Sequence, residues 1–124
     1  MCIRDRLHHD RIDLQWQRML LYPAGWFARD LPVSASLLIP GGMTAFTALD
    51  RIGPDAADLQ FATTPLDRLV DAPVYAARNA RQIDLQPGDP QPVRLDLVAR
   101  DSAKLAISDR ETAELRALLS LIHI

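Results

Sequence analysis

From Pro32 to Ile39 the chain alternates with a period of two. Val33, Ala35, Leu37 and Ile39 fall on one side, and Ser34, Ser36 and Leu38 on the other. That period is the mark of a β-strand with one face in a core. Pro40-Gly41-Gly42 follows; proline fixes one backbone angle and glycine reaches positive φ at little cost, so the chain can reverse there. Thr44, Phe46 and Thr47 then supply β-branched and aromatic strand formers. Residues 32–49 are therefore predicted to form a hairpin turned at Pro40-Gly41-Gly42.

The same reading extends along the chain. Ile12, Leu14 and Trp16 alternate within Leu7 to Gln17, which predicts a strand or extended edge entering Arg18 to Leu21. Tyr22 to Phe27 reads as a turn carrying aromatics, Asp50 to Asp55 as a loop punctuated by Gly53 and Pro54, and Asp58 to Thr63 as a short strand. Thr64 followed by Pro65 predicts a helical turn or two through Val70, with Thr64 as N-cap and Pro65 in first position. Pro73 to Ala76 resumes extended structure. Ile83 and Leu85 alternate with Gln82, Asp84 and Gln86 up to Pro87-Gly88-Asp89-Pro90, and Val93, Leu95 and Leu97 alternate with Arg94, Asp96 and Val98. Ser108 with Glu111 fits a capping box opening a helix through Ala113, Leu115, Ala117 and Leu118. The expected fold class is mainly β: an antiparallel, sandwich-like arrangement with a C-terminal helix.

The two termini change the accounting. Met1 to Asp5, running into Arg6, can be written ATG TGT ATA AGA GAC AG. The reverse complement, CTG TCT CTT ATA CAC AT, translates as Leu-Ser-Leu-Ile-His-Ile, the sequence of residues 119 to 124. Hexapeptides encoded by opposite strands of one short DNA resemble sequencing adapter left on both ends of a read, and such segments are excluded from fold reasoning. On that reading residues 1–6 and 119–124 are not native, and the native N-terminus lies upstream. Cys2 goes with them, so no cysteine remains in residues 7–118 to inform on redox compartment. Without Arg4, Arg6 and Asp5 the chain carries 12 basic and 15 acidic residues, a net of −3, which argues against a nucleic-acid surface. No apolar run approaches the roughly 18 residues of a membrane-spanning helix.

Candidate chemistry is sparse. His8 and His9 are adjacent, so their side chains point apart, and no third ligand follows at a zinc-site spacing; a metal site and a solvated edge are the two readings. Trp16, Trp26 and Phe27 read as core or rim packing rather than as a stacking platform, since no basic groove accompanies them. Asp67, Asp71, Asp84 and Asp96 stand without a nucleophile or metal constellation and read as turn and solvent-face residues. Asp71 stands apart because a carboxylate before Pro73 can fix a turn through its own backbone. No His-Glu-x-x-His, Cys-x-x-Cys, Gly-x-Ser-x-Gly or phosphate-loop motif occurs. No catalytic, cofactor-binding or metal-ligating residue is assigned.

Six segments, in order, carry a resemblance: Trp16 to Gly25, Pro32 to Leu49, Leu69 to Val74, Arg81 to Leu85, Pro92 to Val98, and the helix from Ser108. Together they resemble the glycyl aminopeptidase family of zinc metallopeptidases, peptidase family sixty-one, which are bacterial hydrolases. Its members carry an N-terminal β domain, a thermolysin-like catalytic domain and a PDZ domain. The resemblance implies that residues 7–101 are part of the N-terminal β domain and 102–118 the start of the catalytic domain, with a boundary near Ser102 to Ser108. It implies zinc in the full-length parent, held by a His-Glu-x-x-His segment downstream, and none in this fragment. The implied partners are the chain's own catalytic and PDZ domains and a peptide substrate; localisation stays open, a periplasmic or exported parent included. The family pattern has a glycine near Ala77, where Ala76-Ala77-Arg78 stand here. Leu69 to Arg78 is expected either to line the substrate cleft at the domain boundary or to be a surface turn. A stand-alone β-sandwich interaction module is the competing class, and a downstream His-Glu-x-x-His decides between the two.

Overall fold

The computed structural model describes residues 10–54 and 57–122. His8, His9 and His123 lie outside them. In chain order the described strands are β1 (Arg11–Leu14), β2 (Pro32–Val33), β3 (Ser36–Leu38), β4 (Thr44–Phe46), β5 (Arg51–Ile52), β6 (Asp58–Phe61), β7 (Thr64–Pro65), β8 (Val74–Ala77), β9 (Asn79–Asp84) and β10 (Arg94–Ala99). The helices are α1 (Leu66–Val70) and α2 (Asp109–Ile122). Every described strand pairing is antiparallel. The fold is mainly β with a C-terminal helix, as the alternation predicts.

The chain divides into two compact units between Arg78 and Asn79. In the first, β8 is the centre of a three-stranded sheet, flanked by β1 and β4, while β6 lies between β3 and β5 in a second. β2 and β7 form a short pair. Both three-stranded sheets turn one face to a shared core: Leu14, Ala45, Val74 and Ala76 from one and Leu59 and Phe61 from the other, with Trp16, Ile39, Leu66 and Leu69. β8 is the most buried strand, with Val74, Ala76 and Ala77 each 1% exposed. Its alanines suit a central position, between β1 and β4.

The alternation over 31–39 appears in the structure residue by residue. Val33, Ala35 and Leu37 are half-buried, Ile39 is buried, and Ser34, Ser36 and Leu38 are exposed. The predicted hairpin does not form. β3 pairs with β6, Leu37 opposite Leu59, and β4 pairs with β8, Ala45 opposite Ala76. Pro40-Gly41-Gly42 carries the chain from one sheet to the other. Of the two glycines only the second, Gly42, is left-handed (φ 83°), whereas the favoured two-residue hairpin turns need positive φ at the first central residue or at both; a turn left-handed only at the second splays its strands. Periodicity fixes which face is buried, and long-range packing chooses the partner.

Two local expectations also shift. β1 ends at Leu14, and Trp16 opens a 3-10 turn, Trp16–Arg18, rather than continuing the strand. Thr64 does not cap α1: pairing of β7 with β2, Val33 opposite Thr64, holds it extended, and Pro65 becomes the N-cap. The Thr64 hydroxyl is buried and unpaired among the described residues. The free amide at the helix start, that of Leu66, donates instead to the Leu31 carbonyl at 2.9 Å. A tertiary carbonyl replaces the capping hydroxyl.

In the second unit β9 and β10 form a two-stranded ribbon, Leu95 opposite Ile83 and Leu97 opposite Arg81. Leu85 N–H donates to Val93 O at 2.9 Å, and the turn beyond it uses Gly88 at φ 86°. The alternation from Val93 to Val98 is half-buried against exposed, as predicted. A 3-10 turn, Ser102–Leu105, leads to α2 and is capped by Asp101, whose Oδ1 accepts from Ala103 N–H at 3.1 Å. The capping box at the start of α2 is complete. Ser108 N–H donates to Glu111 Oε2 at 2.9 Å, and Glu111 N–H donates to Ser108 Oγ at 3.2 Å. No residue of α2 is buried.

Candidate functional site

The segment from Leu69 to Arg78 begins on α1 and ends as the central strand β8. α1 is anchored by Leu66 and Leu69, 2% and 1% exposed. It stops at Asp71 (φ −77°, ψ −4°), whose N–H donates to Asp67 O at 3.1 Å. Among the described residues the Asp71 carboxylate has no partner, so the turn before Pro73 is not fixed by that side chain. It is fixed from outside: Trp16 Nε1–H donates to the Ala72 carbonyl at 2.9 Å, and the Trp16 ring meets Phe61 edge-on with centroids 6.3 Å apart. A buried indole donor matched to a buried turn carbonyl satisfies both groups.

Beyond the turn, Tyr75 and Arg78 are the exposed residues of β8 and its end. Tyr75 stands opposite Asp13 of β1 and Phe46 of β4. Arg78 N–H donates to Asp10 O at 3.0 Å, and its Nη1 donates to Gly41 O at 3.2 Å. A Cβ built on Gly42 would lie 3.2 Å from that same Nη1. Gly42 therefore meets two demands at once, a left-handed backbone and the close approach of the guanidinium. Arg78 thus ties the Pro40–Gly42 turn to the end of β8. Arg51 makes a comparable tie, donating from Nη2 to the Ala45 carbonyl of β4.

Ala77, where the family pattern has glycine, lies extended within β8, opposite Arg11 and Thr44. No described residue other than glycine has positive φ, so alanine is accommodated without strain. The four aspartates stay apart and exposed, as expected: Asp67 accepts from Arg68 N–H at 2.7 Å, Asp84 from Gln86 N–H at 2.9 Å and Asp96 from Gln82 Nε2 at 2.8 Å. Of the three aromatics expected to pack, Trp16 is in the core, whereas Trp26 and Phe27 are 60% and 66% exposed. The Arg29 guanidinium lies over the Phe27 ring, 4.8 Å from its centroid. A strand-forming composition cannot tell which aromatic in a loop turns inward.

Chemically, Tyr75 offers an exposed phenol that can donate and accept, while the Arg78 guanidinium is used to hold the Gly41 carbonyl. Among the described residues no three His, Cys, Asp or Glu side chains converge to hold a metal. No curated protein matches the chain. Residues 4–78 match the family described as Peptidase M61 N-terminal domain, and the match ends at the residue where the first compact unit ends. By that match over more than half its length, the chain belongs to the Peptidase M61 N-terminal domain family.

Proposed function

We propose that this chain is the non-catalytic N-terminal β domain of a bacterial zinc aminopeptidase of the glycyl aminopeptidase type, whose parent also carries a PDZ domain. The observation that carries the reading is the family match over residues 4–78. The domain scaffolds the peptidase domain and borders its substrate cleft through Leu69 to Arg78, and the helix from Ser108 leads into the peptidase domain. Zinc and its ligands belong to that downstream domain; no step of the reaction runs through the residues described here.

The structure supplies physical grounds for the cleft edge. The segment is rigidly mounted, with Leu69, Ala72, Val74, Ala76 and Ala77 all buried, while Tyr75 presents 44% of its surface. A rigid strand with one exposed aromatic suits positioning of a peptide better than a mobile loop does. In the parent enzyme, Tyr75→Ala is expected to lower kcat/KM several-fold with an unchanged melting temperature. Arg78→Ala releases the Gly41 carbonyl and should act in the same direction. Unchanged kinetics in both folded variants would retire the cleft role and leave the segment as scaffold. Residues 7–118 alone should release no N-terminal glycine or alanine, with or without added zinc, because a zinc hydrolase needs three protein ligands and a general base. Zinc-dependent release by the purified segment would overturn the whole reading.

A further inference from the structure

The two edges of the sheet built on β8 are finished differently. Arg78 N–H donates to Asp10 O at 3.0 Å, which in the register of β1 against β8 makes Asp10 and Arg78 a hydrogen-bonded pair. Such pairs alternate along an antiparallel ladder. Ile12 and Leu14 therefore bond to Ala76 and Val74, and the N–H and C=O groups of Arg11 and Asp13 point away from β8. The same alternation gives Tyr75 and Ala77 to β4, and it turns the backbone of Ala45 outward on the opposite edge. There the Ala45 carbonyl is taken by Arg51 Nη2. The outward backbone groups of Arg11 and Asp13 have no partner among the described residues. One edge is capped by a side chain, whereas the other offers donors and acceptors in a row, a template for a further strand.

We infer that β1 pairs with β1 of a second copy of this chain, antiparallel, about a twofold axis that passes Ile12. The sequence of the strand, Arg-Ile-Asp-Leu, selects this occupant. With the axis at Ile12, Arg11 of each copy stands directly opposite Asp13 of the other. These are the residues whose backbone faces outward, so each of the two pairs exchanges N–H···O=C bonds in both directions. Both side chains are exposed. The Arg11 guanidinium has no partner among the described residues; Asp13 Oδ1 accepts from Gln15 Nε2 at 2.8 Å, which leaves Oδ2 to meet the arginine. Opposite charges across a strand pair stabilise it, and like charges oppose it. Moving the axis to Arg11 or to Asp13 sets arginine against arginine or aspartate against aspartate. A slip of one residue faces the outward groups with groups already bonded to β8. The strand is thus self-complementary in one register. On its other face Ile12, half-buried and packed against the core, meets its counterpart. The three-stranded sheet of each copy becomes half of a continuous sheet, through an isologous contact.

Sedimentation equilibrium of the 124-residue chain over a concentration series tests this, and a reversible monomer–dimer equilibrium is expected. The Arg11 and Asp13 amide protons should exchange fast in the dilute monomer and slow as the dimer forms. The Ile12 amide, already bonded to Ala76, should keep its rate. Arg11→Asp and Asp13→Arg each create like-charge pairs in this register, and each should weaken dimerisation at least tenfold. The double variant, Arg11→Asp with Asp13→Arg, restores opposite charges in the same register and should recover the dimer. Emission of the buried Trp16 verifies that all three variants, altered at exposed positions, remain folded. A monomer throughout the series overturns the proposal. So does a dimer indifferent to the single changes, or one that the double change fails to restore. A dimer lost in Leu21→Ser with Phe27→Ser, on an exposed loop, but unaffected by the charge changes overturns it as well.

Discussion

The two units of this chain are built from equally regular sequence patterns and held together by different means. Unit one places Trp16, Phe61, Leu66, Leu69 and Val74 in a common core, all between 1% and 6% exposed. In unit two Leu85 is the buried hydrophobic residue among those described, and α2 buries nothing. Polar contacts take over there: Asn79 Nδ2 donates to Arg100 O at 2.8 Å, Arg116 Nη2 to Asp84 O at 3.1 Å, and Arg81 Nη1 to Leu105 O at 3.4 Å. An exposed hydrogen bond exchanges protein for water at small net gain, and a two-stranded ribbon is marginal by itself. Alternation of side chains thus specifies the shape of both units, while burial stabilises chiefly the first.

The strongest way to break this comparison is to remove one side chain from each unit. Leu69→Ala should destabilise the first unit by about 2–5 kcal/mol, because the site is closed on all sides and cannot collapse freely. Leu95→Ala, at a half-buried position of β10, should cost only about 1 kcal/mol by lost area. Urea unfolding followed by Trp16 emission for the first unit, and far-ultraviolet circular dichroism for the helix of the second, separates the two. Equal costs would mean that unit two has a core of the same quality, and the contrast would fall.

A smaller effect is expected at the hinge between core and candidate cleft edge. Trp16→Phe keeps the ring against Phe61 but deletes the donor to the Ala72 carbonyl. A buried carbonyl left without its partner costs about 1–3 kcal/mol. In the parent enzyme the same change should loosen the turn before β8 and lower kcat/KM in step with Tyr75→Ala. Loss of stability with unaltered kinetics would confine Trp16 to the core.

Much of this architecture is legible in the residues themselves. The faces of residues 31–39 and 93–98 follow from period two, and the capping box at Ser108 and Glu111 is encoded within four positions. What local sequence does not encode is pairing across distance. β3 and β4 look like a hairpin because they are neighbours in sequence, yet each finds its partner in a strand beyond residue 57. The capping role expected of Thr64 failed for the same reason: a strand partner and the Leu31 carbonyl, both distant in sequence, took its place. At the candidate site, Tyr75 is an ordinary strand residue by composition, and its exposure follows only from the position of β8 between β1 and β4. The tie from Arg78 to Gly41 spans residues too far apart for any motif to announce.

The smallest expected effect sharpens the comparison by asking which unit responds to acid. Hydrogen bonds from the Ser108 backbone amide, and then from its side chain, hold the Glu111 carboxyl below its usual pKa. A carboxylate whose folded pKa is depressed contributes stability that is fully present above its unfolded pKa, and that is lost as pH falls through the folded one. The N-terminus of α2 should therefore loosen only under acid conditions below the usual carboxylate range. The Ser108 amide proton, 2.9 Å from donor nitrogen to Glu111 Oε2, reports this directly by its chemical shift. Glu111→Gln keeps an acceptor for that amide and should flatten the pH response without unwinding the helix. Over the same range the Trp16 indole proton, bonded to a neutral carbonyl, should not move. A Ser108 transition at or above the ordinary carboxylate pKa would show that the capping box does not bind the ionised form preferentially. An indole proton that moved in parallel would show that the two units respond to acid as one.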